Sequence, residues 1–222
     1  MRLHPILRRT SSLCLAVLFA LLTGLASASA SASASTPVVV SGCSAYAGAK
    51  TLGTSYSDAR IRVYACGRRP NFDGARNGTG PRVRPFAGSP IYYSGYQCIE
   101  LVARYLKLRF GADPGFANGA QAVDRYAAAY PATFVKIANG TKGKAPRKGD
   151  VLSLSAAARF DDVGHTGVVV SSSVSSVGNG TMRVMEENWG GSGGTAGYHN
   201  YAVKNWRVVF AALPHIKWLR AH

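Results

Sequence analysis

Residues 94–111, SGYQCIELVARYLKLRFG, contain the most regular helical pattern in the chain. Apolar side chains recur there at spacings of three or four, in the set Cys98, Leu101, Val102, Tyr105 and Leu108. The spacing predicts a helix from Tyr96 to Phe110, which Gly111 ends as a C-cap. Cys98 lies at the start of this helix, where free amide hydrogens and the helix dipole favour a thiolate.

The sequence after this helix changes its period. A second helix is predicted from Ala120 to Tyr130, before Pro131, and a basic linker follows at 136–150. Beyond the linker the period falls to two, which predicts strands at DVLSLS (150–155), HTGVVVSSS (165–173), MRVMEENW (182–189) and WRVVFAAL (206–213). The turn SSVGNGT (175–181) predicts a β-hairpin from the middle pair. Helices followed by antiparallel strands indicate an α+β fold.

The N-terminal residues predict export. Residues 1–36 carry three arginines, an apolar run from Leu13 to Ala26 and then alternating alanine and serine, which is typical of a secretory signal peptide. The run is shorter than the roughly 20 residues of a membrane-spanning helix, so no stable membrane anchor is expected. We therefore expect a secreted, periplasmic or cell-wall associated protein, exported by the general or the twin-arginine route.

Charge indicates an anionic partner. The chain has a formal net charge of +16, of which +13 remains after the three signal arginines are subtracted, because the signal contains no acids. For an exported protein, peptidoglycan or another anionic cell-wall polymer fits this charge better than nucleic acid does. Solubility alone explains it equally well.

The cysteines point to one unpaired thiol. Without Cys14 of the signal, the chain keeps Cys43, Cys66 and Cys98, an odd number in an oxidising compartment. Cys43 and Cys66 lie in the same loop-rich segment, so a disulfide between them is predicted to staple an N-terminal extension at 37–80. Cys98 is left to pair between molecules, to lie inert in a core or to react.

A reactive Cys98 needs a base and a group that orients the base. The mature chain has four histidines, at His165, His199, His215 and His222. His222 is terminal and His215 follows a proline in a basic tail, whereas His165 begins a β-branched strand. Glu186 and Asn188 share a face of the return strand, and a suitable register would bring one of them opposite His165. Each residue also has a purely structural interpretation, as a buried thiol, a core histidine or a solvated strand end.

Metals and cofactors are not expected. The sequence contains no Cys-x-x-Cys or His-x-x-x-His spacing, and Asp161 with Asp162 is too sparse for a cation site.

Four motifs together resemble the CHAP domains, which are cysteine amidohydrolases and peptidases with a papain-like α+β core. They are GYQCIELVARYL (95–106), PRKGDVLSL (146–154), GHTGVVV (164–170) and EENWGGSGG (186–194). The resemblance covers about residues 81 to 210 and implies a catalytic domain at 81–222, with N-terminal helices packed on an antiparallel β-sheet.

The resemblance also implies roles for individual residues. Cys98 would be the nucleophile, His165 the base, and Glu186 with Asn188 the group that orients His165. Backbone amides near Cys98, helped by Gln97, would stabilise the oxyanion. The stretch from Gln97 to Glu100 also resembles a CHAP-type amidase that cuts a polyamine amide. Glu100 departs from the usual pattern and is expected either to be structural or to alter the substrate groove.

The expected function is that of a secreted cysteine amidase or endopeptidase that cuts peptidoglycan at the muramoyl-alanine amide or within the stem peptide. Three alternatives stay open: an amidase for small or polyamine-type amides, an antibacterial toxin with an immunity protein as partner, and a non-catalytic wall-binding module.

Overall fold

The computed structural model describes residues 39–43, 50–67, 82–157, 163–189 and 195–222. The signal peptide predicted at 1–36 lies outside these residues. Within the described ranges there are two helices, α1 at Cys98–Phe110 and α2 at Ala122–Ala129. Neither helix in the described part of the chain is long and apolar enough to cross a membrane.

The described ranges also contain twelve strands. In chain order they are β1 Val39–Ser41, β2 Lys50–Ser57, β3 Ile61–Gly67, β4 Arg82–Val83, β5 Tyr93–Ser94, β6 Phe134–Ala138, β7 Val151–Ser155, β8 His165–Val174, β9 Gly180–Trp189, β10 Thr195–Lys204, β11 Arg207–Val209 and β12 His215–Ala221.

The main sheet has seven strands in the order β11-β10-β9-β8-β7-β12-β6, and every neighbouring pair is antiparallel. β8 and β9 form the predicted hairpin, whose turn is closed by a hydrogen bond from Gly178 N to Ser175 O of 2.9 Å. The last strand in the chain, β12, lies inside the sheet, between β7 and β6.

The two faces of this sheet bury different apolar clusters. Val151, Val168 and Met185 belong to the cluster that also contains Leu101 of α1 and Ile61 of β3. Their chain neighbours on the same strands belong to a second cluster, which contains Leu152, Val169, Val184 and Trp218. Since successive strand residues point to opposite faces, the sheet separates two cores, and α1 packs on the first.

The N-terminal extension forms a small sheet, in which β1 and β3 correspond to the strand-like stretches TPVVVS (36–41) and ARIRVYAC (59–66) of the sequence. In it β3 pairs with β1 in parallel and with β2 antiparallel. Tyr56, Ile61 and Val63 of this sheet are buried in the same cluster as α1. The extension therefore shares its core with α1.

Several elements differ from the sequence-based expectation. The predicted helices and the hairpin are present, but N-terminal helices as the defining feature are not supported. In the part of the chain that the structure describes, five strands precede α1 and strands outnumber helices. Among the described residues six strands were not predicted, namely β2, β4, β5, β6, β10 and β12.

The basic tail around His215 is in fact β12, and the basic linker begins inside β6. Lysines are tolerated in these strands because Asp124 of α2 lies against both: Lys136 Nζ is 3.0 Å from its carboxylate, and Lys217 contacts the other oxygen. The charges of Lys136 and Lys217 suggested a solvent-exposed linker and tail, but in the fold both lysines are paired with Asp124.

Candidate active site

Cys98 is the first residue of α1 and lies in a cleft of about 350 Å³. Its side chain is buried, and it is the free cysteine among the described residues. Gln97 precedes it with an extended backbone as the N-cap of the helix. The predicted thiol thus lies at a helix N-terminus and faces a cavity, the environment in which a cysteine can act as a nucleophile.

His165 is placed by close backbone packing around the first residue of β8. A side chain on Gly119 would put its Cβ 2.8 Å from the Cα of His165, and Gly164 adopts a left-handed φ of 54°. The amide of Ala120 donates to the carbonyl of Val163 at 3.1 Å. The two glycines let the loop before α2 lie directly on the strand that carries the imidazole.

Glu186 of β9 is fully buried and contacts two imidazoles. Its Oε1 lies 3.5 Å from His165 Nε2, and its Oε2 lies 2.5 Å from His199 Nδ1. Tyr201 donates a hydrogen bond of 2.6 Å to Oε1. Burial alone would raise the pKa of Glu186, but His165, His199 and Tyr201 together lower it to about 2. The carboxylate therefore stays charged at any working pH.

The ionisation of His165 is set by its neighbours. Burial would lower the pKa of His165, but the charge and hydrogen bond of Cys98, followed by those of Glu186, raise it to about 10. An imidazole whose protonated form is stabilised by a neighbouring cysteine is placed to exchange a proton with that cysteine. The structure therefore brings Cys98, His165 and Glu186 together in the order that the sequence predicts.

Trp189 covers this group of residues. Its ring centroid lies 4.3 Å from that of His165, 5.6 Å from that of His199 and 5.4 Å from that of Phe210. The indole thus packs beside the imidazole and separates it from bulk water, which strengthens the contact between His165 and Glu186.

Asn188 differs from the expectation that it orients His165 together with Glu186. Its backbone takes a left-handed φ of 53°, which turns the side chain out of the regular strand alternation. The amide nitrogen instead approaches Oε1 of Gln97 at 3.5 Å. In this arrangement Asn188 contacts Gln97, the residue before Cys98, and Glu186 is the one that contacts His165.

Glu187 and Glu100 belong to a buried cluster behind the site. Arg104 pairs with Glu100 at 2.8 Å and with Glu187 at 3.0 Å, and all three side chains are at most 5% exposed. Burial, followed by the charge of Glu100, raises the pKa of Glu187 well above its ordinary value. Of the two expectations for Glu100, the structural role is the one observed.

The disulfide is attached to this cluster. Cys43 and Cys66 are bonded, with a Cα–Cα distance of 5.6 Å. The amide of Cys66 donates to Glu187 at 2.5 Å, and Arg104 donates to the carbonyl of Tyr64 at 2.8 Å. The buried charges therefore join the stapled extension to α1 and to β9, the strand that carries Glu186.

Sequence reasoning missed His199, Tyr201 and Trp189 as members of the site. His199 and Tyr201 are two residues apart on β10 and so share the face that points to Glu186. The two-residue spacing of His199 and Tyr201 can be read in the sequence. The strand that carries them was not predicted, because the glycines at 190–194 interrupt the alternation of apolar and polar residues just before it. No group of acidic, histidine or cysteine side chains suited to a metal ion occurs among the described residues.

Part of the chain matches a known protein family. Residues 88–188 match the family model described as the CHAP domain. The matched region includes Cys98, His165, Glu186 and Asn188, whereas His199 and Tyr201 lie beyond its end. No curated protein matches the chain.

Proposed function

Because the chain carries a CHAP domain, a domain of amidases and peptidases, we propose that it is a secreted cysteine hydrolase that cuts amide bonds of bacterial peptidoglycan. The observation that carries the proposal is the buried Cys98 in its cleft beside His165. Burial would lower the pKa of that imidazole, but Cys98 and then Glu186 raise it to about 10. A cysteine that only fills space in a core behaves as a small apolar residue, and it does not require an ionisable side chain beside it.

The first half of the reaction forms a thioester. The Cys98 thiolate attacks the carbonyl carbon of the amide, and the resulting oxyanion is stabilised by backbone amides at the start of α1 and by Gln97. His165, as the imidazolium, then gives its proton to the leaving nitrogen as the C–N bond breaks. Glu186 keeps the ring oriented while its charge changes.

The second half releases the acid. The neutral His165 takes a proton from a water molecule, whose oxygen attacks the thioester carbonyl. The C–S bond breaks, the carboxylic acid leaves, and the thiolate–imidazolium pair is restored. Glu186 stays ionised throughout, because burial would raise its pKa but His165 and His199 lower it to about 2.

The cleft supports a substrate with both apolar and polar parts. Tyr92, Tyr93, Ile99 and Phe116 line one part of it, and Gln97 and Asn118 supply amides. At the rim the exposed Arg84 lies 4.4 Å over the ring of Tyr92. A wall stem peptide or the sugar attached to it offers methyl groups, amides and carboxylates to such a surface.

The test is to incubate the mature protein with purified peptidoglycan and to identify the released fragments by mass spectrometry. Cys98→Ala and His165→Ala serve as inactive variants, and Tyr198→Phe, which changes a residue outside the cleft, serves as the active control. Release by the wild type and the control alone is expected. The new termini will show whether the muramoyl-alanine amide or a stem-peptide bond is cut.

Alkylation of Cys98 by iodoacetamide at about pH 6 separates the chemistry from the substrate. Fast alkylation that slows in His165→Ala, without fragment release, would leave a cysteine hydrolase that acts on another amide. Slow alkylation in both proteins would show that Cys98 is an ordinary buried thiol, and the proposal of an enzyme would fail.

A further inference from the structure

A second pocket, of about 480 Å³, lies at the opposite end of α1 from Cys98. Five cationic side chains line it, namely Arg60, Arg109, Arg147, Lys148 and Arg220. They come from separate parts of the chain: the turn between β2 and β3, the last turn of α1, the loop before β7, and β12. A fold that gathers cations from four segments around one cavity offers a site for an anion.

Two of these cations are already neutralised. Arg109 Nε lies 2.5 Å from Asp58, and Arg220 lies 2.6 Å from Asp150. The buried Asp150 is held by Arg220 and by the amide of Arg147. These two pairs build the walls of the pocket but contribute little net charge.

Arg60, Arg147 and Lys148 remain available. All three are exposed, and no acid in the described ranges lies within ion-pair distance of them. Arg147 donates one long hydrogen bond, of 3.4 Å, to the carbonyl of Ala221, and Lys148 lies 5.5 Å over the ring of Tyr56. Arg60, Arg147 and Lys148 therefore leave the pocket with a positive charge.

The pocket is separate from the catalytic cleft. Cys98 and Arg109 are at the two ends of α1, about 16 Å apart at the usual helical rise. The two cavities have no lining residue in common. An anion bound here would therefore not touch the reacting groups.

We propose that this pocket, formed by Arg60, Arg147 and Lys148 around the Asp58 and Asp150 ion pairs, binds the phosphate groups of an anionic polymer and so holds the enzyme on its substrate. The planar guanidinium groups of Arg60 and Arg147 match a phosphate, which accepts paired hydrogen bonds from each. Lys148 adds a point charge. That the polymer belongs to the cell wall rests on the proposed function, whereas phosphate binding does not.

The experiment measures the binding of long-chain inorganic polyphosphate to Cys98→Ala protein, so that the result does not depend on hydrolysis. Arg60→Gln, Arg147→Gln and Lys148→Gln are combined in one variant. A control combines Lys142→Gln, Lys144→Gln and Lys204→Gln, which remove the same charge from exposed lysines that do not line the pocket. Polyglutamate and a short DNA duplex are the competing ligands.

The pocket variant is expected to bind polyphosphate at least tenfold more weakly at about 0.1 M salt. The slope of log affinity against log salt concentration should show roughly two to three fewer counterions released on binding. The control is expected to change less than threefold. When Cys98 is kept and only the three charges are removed, both triple variants should cut soluble wall fragments at the wild-type rate. An equal loss of polyphosphate affinity in the pocket variant and the control would mean that overall charge, and not this pocket, binds the polymer, and would overturn the proposal. Equal affinity for polyglutamate, or tighter binding of DNA, would overturn the phosphate polymer as ligand.

Discussion

His199 Nδ1 lies 2.5 Å from Glu186 Oε2, the carboxylate oxygen that His165 does not approach. His199 is 36% exposed, whereas Glu186 is fully buried. One carboxylate thus joins an imidazole near solvent to the imidazole beside the nucleophile, and His199 acts as a positioning residue for the pair.

Replacing His199 with Ala should lower kcat about tenfold, roughly the loss of one 1.5 kcal/mol hydrogen bond to a charged group. Burial raises the pKa of Glu186 and His199 is among the groups that lower it, so the acid limb of the kcat profile should move to higher pH. His199→Asn, which keeps a donor, should recover much of the loss. A parallel fall in both variants with an unmoved profile would assign His199 a purely structural role.

The alkaline limit of activity should be set by His165. Burial lowers the pKa of His165, but Cys98 and Glu186 raise it from an ordinary value of 6.5 to about 10. Activity should therefore persist into alkaline solution and fall as the pH passes about 10. In Cys98→Ala the main favourable partner is lost, so the ring should titrate at a lower pH. NMR of the imidazole carbon-bound protons measures both values.

The same shifts predict how stability depends on pH. The folded pKa of His165 is raised, so the stability it contributes is complete below pH 6.5 and is lost as the pH rises through about 10. The folded pKa of Glu186 is lowered, so its contribution is present above its ordinary value of 4.5 and is lost as the pH falls through about 2. Thermal unfolding of the wild type and Glu186→Gln between pH 3 and 10 should differ most in the middle of this range.

Arg104 should matter more to stability than any exposed ion pair. Arg104→Ala leaves Glu100 and Glu187 buried without their shared cation, which should cost roughly 3–5 kcal/mol of the free energy of unfolding. Lys136→Ala removes a half-exposed partner of Asp124 and should cost less than about 1 kcal/mol. Urea unfolding compares the two variants.

The Arg104→Ala deficit should also shrink as the pH is lowered. Burial and then Glu100 raise the pKa of Glu187, so its carboxylate accepts a proton readily once its cation is gone. Equal losses in Arg104→Ala and Lys136→Ala, or a deficit that does not change with pH, would contradict a role for the buried cluster.

Gly119→Ala tests the packing that places His165. The new Cβ would lie 2.8 Å from the His165 backbone, so either the loop or the strand must shift. We expect the free energy of unfolding to fall by about 1–3 kcal/mol. We also expect a lower kcat, because His165 is displaced while Cys98 is unchanged. Gly197→Ala on β10 is the matched control, because nothing lies within 4 Å of its Cβ. Similar kinetics in the two variants would show that the close approach is unimportant.

The local parts of the fold could be predicted from the sequence. The helix that starts with Cys98 and the β8–β9 hairpin follow from spacing and turn chemistry, and Glu186 and Glu187 point to opposite faces as strand alternation requires. These features depend on residues close together in the chain.

The remaining parts depend on contacts between distant segments. β12 was missed because its lysine and arginine resemble a solvated tail, whereas Asp124 and Asp150 neutralise them in the fold. The contact of His199 with Glu186 needs the register of β10 on β9, which pairs Gly197 with Glu186. The turn of Asn188 towards Gln97 follows from a left-handed backbone that strand periodicity does not reveal.

The interior position of β12 also determines when the molecule can fold. β6 and β7 are not neighbours in the sheet, and the strand that joins them is the last one in the chain. While the ribosome is still making residues 215–221, each of these two strands has an open edge. Trp218 and Leu219, one from each apolar cluster, arrive at the same moment. Both cores are therefore completed only after synthesis has passed these residues.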